Sequence, residues 1–124
     1  MDTEKKTIIE IAQCAAGNAE EWAESANNCE WDSQVFMCAS HAYDYMRVAN
    51  YCNNAVRTGK HSLPHIRATA QRLLESAQEA EDTGETRFDE GYDELTGEMA
   101  ARWAQEAQAA VGKLRGFLKP RKAA

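Results

Sequence analysis

The sequence lacks any long apolar run. Apolar residues make up 44% of the 124 residues, yet no stretch approaches the roughly 18 uncharged apolar residues of a membrane span. The first residues, MDTEKKTIIEIAQ, mix acids with lysines and lead into no small-residue cleavage pattern, so no signal peptide is predicted. We therefore expect a cytoplasmic protein whose four cysteines remain thiols.

The motifs of common catalytic sites are also missing. There is no glycine-rich phosphate loop and no Gly-x-Ser-x-Gly nucleophile motif. Glu-x-x-His, the signature of di-iron carboxylate bundles, does not occur, and the acidic stretch fits no calcium-loop frame. Cys38 and His41, about one helical turn apart, are the single arrangement that could support thiol chemistry. The sequence predicts no enzyme and no cofactor.

The cysteines are too scattered for a metal site with three or four ligands. Cys38 and Cys52 lie fourteen residues apart on one predicted helix, about 21 Å along its axis, so they cannot share one ion. Cys14 and Cys29 supply no Cys-x2-Cys pair. We therefore predict that Cys38 and Cys52 pack in the core as small apolar side chains. If a metal binds, Cys38 and His41 are the candidate ligands.

One resemblance to a known family bears on whether the thiols pack in the core or bind a metal. The stretch from Cys38 to Gly59 resembles the second helix of the cysteine-rich four-helix bundles that store copper, which share its length and its alanine-rich seam. Those proteins line their cores with Cys-x2-Cys and Cys-x3-Cys pairs, whereas this chain has Tyr45, Ala49, Ala70 and Ala77 in such seam positions. The resemblance implies a thiol-based copper or zinc site in a helical bundle, which is kept as an alternative function.

Helical spacing of apolar residues dominates the chain, and no stretch alternates as a half-buried strand does. We predict four helices, at about 4–25, 33–57, 62–83 and 93–118. Their similar lengths and short first two connections favour an all-α, antiparallel four-helix bundle with a longer acidic loop between the third and fourth helices. A single domain is predicted over 1–118, followed by a frayed basic tail over 119–124.

The predicted packing faces follow from that spacing. The face of the second helix alternates steps of three and four residues and comprises Val35, Cys38, Ala42, Tyr45, Ala49, Cys52 and Val56. Leu73 is assigned to the buried face of the third helix and Phe117 to that of the fourth. Expected N-caps are Thr3 for the first helix, Asp32 or Ser33 for the second and Ser62 for the third, with Gly59 and Gly84 as helix stops.

Charge is banded along the chain. The formal net charge is −6, but no acid occurs between Tyr45 and Leu74, a stretch with five bases. From Glu75 to Glu98 there are ten acids against the single base Arg87, and the last twelve residues have five bases and no acid. An acidic band of this kind is commonly a solvated surface, and its alternative function is a contact patch for a basic partner.

These observations predict a non-catalytic protein-binding module, similar in type to small bacterial or phage accessory, inhibitor and immunity proteins. The expected contacts are acids with aromatic anchors, namely Glu85, Phe88, Asp89, Glu90, Tyr92, Asp93, Glu94 and Trp31. A nucleic-acid-associated role through the basic middle and C-terminus is a second alternative, which the negative net charge disfavours. No membrane partner is expected. A homo-oligomer stays open, because a helical seam can also be shared between chains.

Overall fold

The structure is a computed structural model that describes residues 2–86 and 95–119. It contains four helices, α1 (Asp2–Asn28), α2 (Asp32–Thr58), α3 (Leu63–Thr83) and α4 (Gly97–Leu118). The described residues include no strand. The prediction of an all-α four-helix bundle is confirmed.

The helices run up and down alternately. Trp22, late in α1, packs its ring against that of His41, early in α2, with 4.7 Å between the ring centroids. Gly97, the first residue of α4, lies against Asn27 at the end of α1. The connection 59–62 between α2 and α3 is short, so α3 runs antiparallel to α2. The C-terminal ends of α1 and α3 therefore lie at the same end of the bundle as the N-terminal ends of α2 and α4.

The packing is uneven. Helices α1, α2 and α4 all contact one another, whereas α3 contacts α1 and α2 and has no contact with α4 in the described part of the chain. The polar contacts of α3 with its neighbours include a 3.0 Å ion pair between Arg67 and Glu4 of α1 and a hydrogen bond from the Tyr45 hydroxyl of α2 to a Glu81 carboxylate oxygen. A groove consequently stays open between α3 and α4, with α2 as its floor.

Alanine dominates the core. Small side chains let helix backbones approach closely, because nothing beyond a methyl group separates them. Larger side chains fill the remaining space, and Ile8, Tyr45, Ile66 and Leu114 are fully buried. The alanines of this core are Ala12, Ala15, Ala16, Ala19, Ala23, Ala26, Ala39, Ala42, Ala49, Ala55, Ala70, Ala77, Ala100, Ala104, Ala107 and Ala110.

The predicted seam of α2 is confirmed in its centre, where Cys38 through Cys52 are buried at the seam positions. The prediction of burial is wrong for two residues. Leu73 is 38% exposed while its neighbour Leu74 is 5% exposed, and Phe117 is 52% exposed while Leu118 is 6% exposed. In each helix two adjacent residues are apolar, and one residue turns the direction of a side chain by about 100°. Contacts with the other helices decide which of the two is buried.

The observed caps and stops of α2 and α3 agree with the predicted ones at three of four positions. Gly59 and Gly84 adopt left-handed φ values of 63° and 70°, as expected of helix stops. The Ser62 side chain accepts from the His65 N–H at 3.4 Å and caps α3. The predicted cap of α2 is wrong, because Trp31 occupies the N-cap position without a side-chain cap and Asp32 is the first helical residue.

The outer helix ends also differ from the prediction. Helix α1 already begins at Asp2, so Thr3 lies inside it, and α1 continues to Asn28 instead of ending near residue 25. Helix α4 begins at Gly97, not at Asp93, because the Thr96 side chain accepts from the Met99 N–H at 3.2 Å and caps the helix there.

Parts of two predicted segments lie outside the described residues. Of the acidic loop expected over 83–93, the described part ends at Thr86, and of the tail expected over 119–124 only Lys119 is described. None of the helices in the described residues combines the length and apolar character needed to cross a bilayer.

Candidate functional site

The structure brings two of the predicted contact residues to one end of the bundle. Trp31 lies in the connection between α1 and α2 and is 66% exposed, and Glu85 is exposed just after α3. Both connections meet at the end where α1 and α3 finish. The other predicted contacts, Phe88, Asp89, Glu90, Tyr92, Asp93 and Glu94, lie outside the described residues.

The antiparallel order sorts the charges of the chain by position along the bundle. We define the acidic half as residues 16–45, 74–86 and 95–107, which lie toward the end that contains Trp31. This half has thirteen acids and a single base, Arg102. The acids are Glu20, Glu21, Glu24, Glu30, Asp32, Asp44, Glu75, Glu79, Glu81, Asp82, Glu85, Glu98 and Glu106.

The opposite half has the opposite charge. We define the basic half as residues 2–15, 46–73 and 108–119, which contain three acids and ten bases. The bases are Lys5, Lys6, Arg47, Arg57, Lys60, Arg67, Arg72, Lys113, Arg115 and Lys119. The bands that lie far apart in the sequence thus form two poles of one molecule, and their fields add within each pole.

An open cavity with a mixed polar and apolar lining lies at the acidic end. It has a volume of about 820 Å³ and is lined by residues from the N-terminal turns of α2, including Val35, Phe36 and Met37, together with Leu95 before α4. Asp32 contributes a carboxylate to the same cavity. Apolar side chains beside a carboxylate suit a partner segment in which an apolar side chain lies among lysines or arginines.

A second cavity, of about 400 Å³, lies in the groove between α3 and α4. Leu73 lines it, which accounts for the exposure of this side chain. On its α2 side the Tyr43 ring packs edge-on against Trp103 of α4 at 5.0 Å, and the Arg47 guanidinium lies 5.9 Å from the Tyr43 ring centroid. The lining includes both Arg47 and Glu106, so this groove has no single charge preference.

The thiols on α2 are core side chains, as predicted. Cys38 is 4% exposed and Cys52 is fully buried. Burial raises the pKa of Cys52 to about 12. Burial, with the neighbouring Cys29 as a further cause, raises the pKa of Cys38 to about 11. Both thiols therefore hold their protons near neutral pH.

His41 is a buried neutral histidine. Its ring packs on Trp22, its Nδ1 atom has no hydrogen-bond partner, and burial lowers its pKa while the Glu81 carboxylate acts in the opposite direction. Within residues 2–86 and 95–119 no group of three or more histidine, cysteine, aspartate or glutamate side chains is arranged to hold a metal ion. The sulfur of Cys29 lies 3.8 Å from that of Cys38.

Two arrangements escaped the sequence analysis. The sulfurs of Cys29 and Cys38 are 3.8 Å apart, and the buried Tyr45 hydroxyl meets Glu81 across α2 and α3. Spacing along the chain contains no signal for either, because Cys29 follows α1 in a connection whose path depends on how α1 and α2 pack. A hydroxyl on an apolar seam, as at Tyr45, does indicate that some polar partner is needed.

Comparison with known proteins found no matching family model, no matching curated relative and no matching solved structure.

Proposed function

We propose that this chain is a non-catalytic binding module whose acidic half, at the end that contains Trp31, docks on a basic surface of another protein. The observation that supports the proposal is the segregation of charge, with thirteen acids and one base in the acidic half. Like charges are costly to gather on a folded surface, because they repel one another. A basic partner removes that repulsion on binding, which makes such a pole favourable for association.

Charge and apolar contacts have separate roles in this interface. The acidic field increases the rate of encounter with a basic partner and orients it. The binding free energy then comes mainly from a few apolar anchors that lose contact with water. Among the described residues at this end, Trp31, which is 66% exposed, and the apolar side chains that line the cavity beside Phe36 can serve as such anchors.

The proposed class of protein follows by analogy of type. Small acidic helical chains that bind a basic surface include accessory, inhibitor and immunity proteins of bacteria and their phages. In such proteins the binding surface is itself the functional part, and no catalytic group is needed.

The test compares two variants with the same change in net charge. The first neutralises exposed acids at the acidic end, Glu30→Gln, Asp32→Asn and Glu85→Gln. The control neutralises three exposed acids far from Trp31: Glu10→Gln lies in the basic half, and Glu75→Gln and Glu106→Gln lie at the border of the acidic half nearest the middle of the bundle. All six side chains are exposed, so both variants should fold.

Partners captured from the host lysate are identified by native mass spectrometry, and their association with each variant is then measured by stopped-flow at two salt concentrations. We expect the first variant to lose about tenfold in association rate and much of its salt dependence, and the control to lose little. Equal effects of the two variants, or no effect of either, would reject the acidic end as the docking surface.

A second candidate function, binding of nucleic acid, is favoured by the basic half. Arg57 in the last turn of α2 and Lys60 in the α2–α3 connection lie at the same end of the bundle as Lys113 of α4 and Lys119, which directly follows α4. Phosphate contacts predict an affinity that falls steeply with salt. Gel-shift titration of the wild type and of Arg57→Gln/Lys60→Gln/Lys113→Gln distinguishes the candidates, since only nucleic-acid binding depends on these three residues.

A further inference from the structure

Two of the four thiols face each other at the acidic end of the bundle. The Sγ atoms of Cys29 and Cys38 are 3.8 Å apart. Cys29 belongs to the three-residue connection between α1 and α2 and is half-buried, whereas Cys38 lies in the second turn of α2 and is buried. The two thiols are thus in van der Waals contact while only one of them is open to a reagent from solution.

We propose that Cys29 and Cys38 are a reversible redox pair that closes to an intramolecular disulfide, with a low-molecular-weight disulfide such as oxidised glutathione as the oxidant. The sulfurs need to approach from 3.8 Å to about 2.05 Å. Cys38 is held in place by its helix, so Cys29 must move toward it. Cys29 lies outside both helices and can change its rotamer together with the connection 29–31.

The exposure of the two thiols sets the order of the chemistry. The Cys29 thiolate attacks one sulfur of oxidised glutathione, forms a mixed disulfide and releases one glutathione thiolate, which takes up a proton. The Cys38 thiol then loses its proton and attacks the Cys29 sulfur, which forms the protein disulfide and releases the second glutathione. Two electrons pass from the two protein thiols to oxidised glutathione, which becomes two molecules of reduced glutathione.

Burial makes Cys38 the resolving thiol of this sequence. Its pKa is raised to about 11 by burial and by Cys29, so little of it is ionised near neutral pH. Cys38 reacts nevertheless, because the disulfide sulfur of Cys29 is held in contact with it. The local concentration of that sulfur is far higher than the concentration of a reagent in solution. Without that contact Cys38 would be inert, as a buried structural cysteine usually is.

The two remaining cysteines cannot take part. Cys14 is exposed on α1, and the fifteen residues that separate it from Cys29 span more than 20 Å along a helix. Cys52 is fully buried in the basic half, about four turns from Cys38 on the same helix. Cys14 can therefore only form a mixed disulfide or link two molecules, and Cys52 is shielded from the reagent.

The experiment uses the reduced, folded full chain in the Cys14→Ser background, which removes the exposed competing thiol. The protein is equilibrated in glutathione buffers of increasing oxidised fraction, quenched with acid and alkylated after unfolding. Intact mass and peptide mapping then count the free thiols. We expect a monomer lighter by two hydrogen atoms, with one alkylated thiol at Cys52 and a bridged peptide that contains Cys29 and Cys38.

Single substitutions separate the two steps. Added to the Cys14→Ser background, Cys38→Ser should accumulate the glutathione adduct on Cys29, because the resolving thiol is gone. Cys29→Ser should leave Cys38 free at every buffer ratio. Since Cys29 is half-buried and outside the helices, this second variant keeps the core intact and tests the proposal even if Cys38→Ser does not fold.

Three results would overturn the proposal. One is a stable glutathione adduct on Cys29 while Cys38 stays free in the otherwise wild-type pair. Another is the absence of any reaction at Cys29 in the most oxidising buffer. The third is a disulfide-linked dimer in place of the bridged monomer. None of these results bears on whether the acidic half binds a partner, since the proposal does not rest on that function.

Discussion

The contact between Tyr45 and Glu81 offers a sharp test of how α3 is attached. Tyr45 is fully buried on α2, and its hydroxyl donates to the Glu81 carboxylate on α3. Tyr45→Phe removes this hydrogen bond and keeps the ring that fills the core. A hydrogen bond to a charged group contributes about 1.5–3 kcal/mol. Because Glu81 is half-exposed and water can replace the hydroxyl, we expect a loss near the lower value, about 1.5 kcal/mol.

The same contact predicts a pH dependence. Burial first, and the Glu81 carboxylate second, raise the pKa of Tyr45. The folded protein therefore keeps a phenolic proton that the unfolded chain releases above about pH 10. This contribution to stability is complete below about pH 10 and is lost as the pH rises further. Tyr45→Phe should lose less stability than the wild type over that alkaline range.

Urea unfolding followed by circular dichroism at neutral pH measures the free energies of Tyr45→Phe, Glu81→Gln and the double variant. The expected coupling energy of this double-mutant cycle is about 1 kcal/mol. Tyr51→Phe is a matched control, because Tyr51 is half-buried on the same helix and its hydroxyl makes no hydrogen bond within the described residues. This substitution should change stability by less than about 0.5 kcal/mol. A coupling energy near zero, or equal losses for Tyr45→Phe and Tyr51→Phe, would refute the reasoning.

Three further predictions concern the helices and the core. Gly112→Ala, on the exposed face of α4 where an added Cβ meets nothing within 4 Å, should stabilise the fold by about 0.5–1 kcal/mol. Gly59→Ala, at a φ of 63°, should instead destabilise it by about 1–2 kcal/mol. Urea unfolding should therefore give stability changes of opposite sign for the two variants. Leu114→Ala should cost about 2–5 kcal/mol, because this side chain is fully buried, and a loss under 1 kcal/mol in the same assay would contradict its place in the core. Burial raises the pKa of Cys52 from 9.0 to about 12, so the contribution of the protonated thiol to stability is complete below pH 9 and is lost toward pH 12. Between these limits the stability of Cys52→Ala should fall less steeply with pH than that of the wild type, by up to about 1.4 kcal/mol per pH unit. Parallel stability curves for the two proteins would show that this thiol does not resist ionisation.

The helices were predictable because their signals are local. Gly59 and Gly84 stop helices through their own backbone freedom, and Ser62 caps α3 through a bond to a residue three positions on. The failures lie where local signals compete. Leu73 and Leu74 are equally apolar, and the burial of Leu74 reflects the rotation of α3, which packs on α1 and α2 but does not contact α4.

The candidate sites divide in the same way. The sequence showed acidic and basic bands and placed Trp31 and Glu85 in connections, where side chains are commonly exposed. It gave no reason to pair Cys29 with Cys38, since nine residues that include a change of direction can place two sulfurs far apart or in contact. Only the angle at which α2 leaves the connection brings them to 3.8 Å.

The amino-acid sequence alone determined that this protein is helical, how many helices it has and which charges lie on each, because helical periodicity, caps and charge bands are properties of neighbouring residues. The tertiary structure decided which leucine of an adjacent pair is buried, that Tyr45 meets Glu81 and that two thiols touch. It also turned the bands into two poles, since the up-and-down order aligns the acid-rich parts of α1 and α3 with those of α2 and α4. Such outcomes depend on the rotation and direction of whole helices, which are set by packing between residues far apart in the chain.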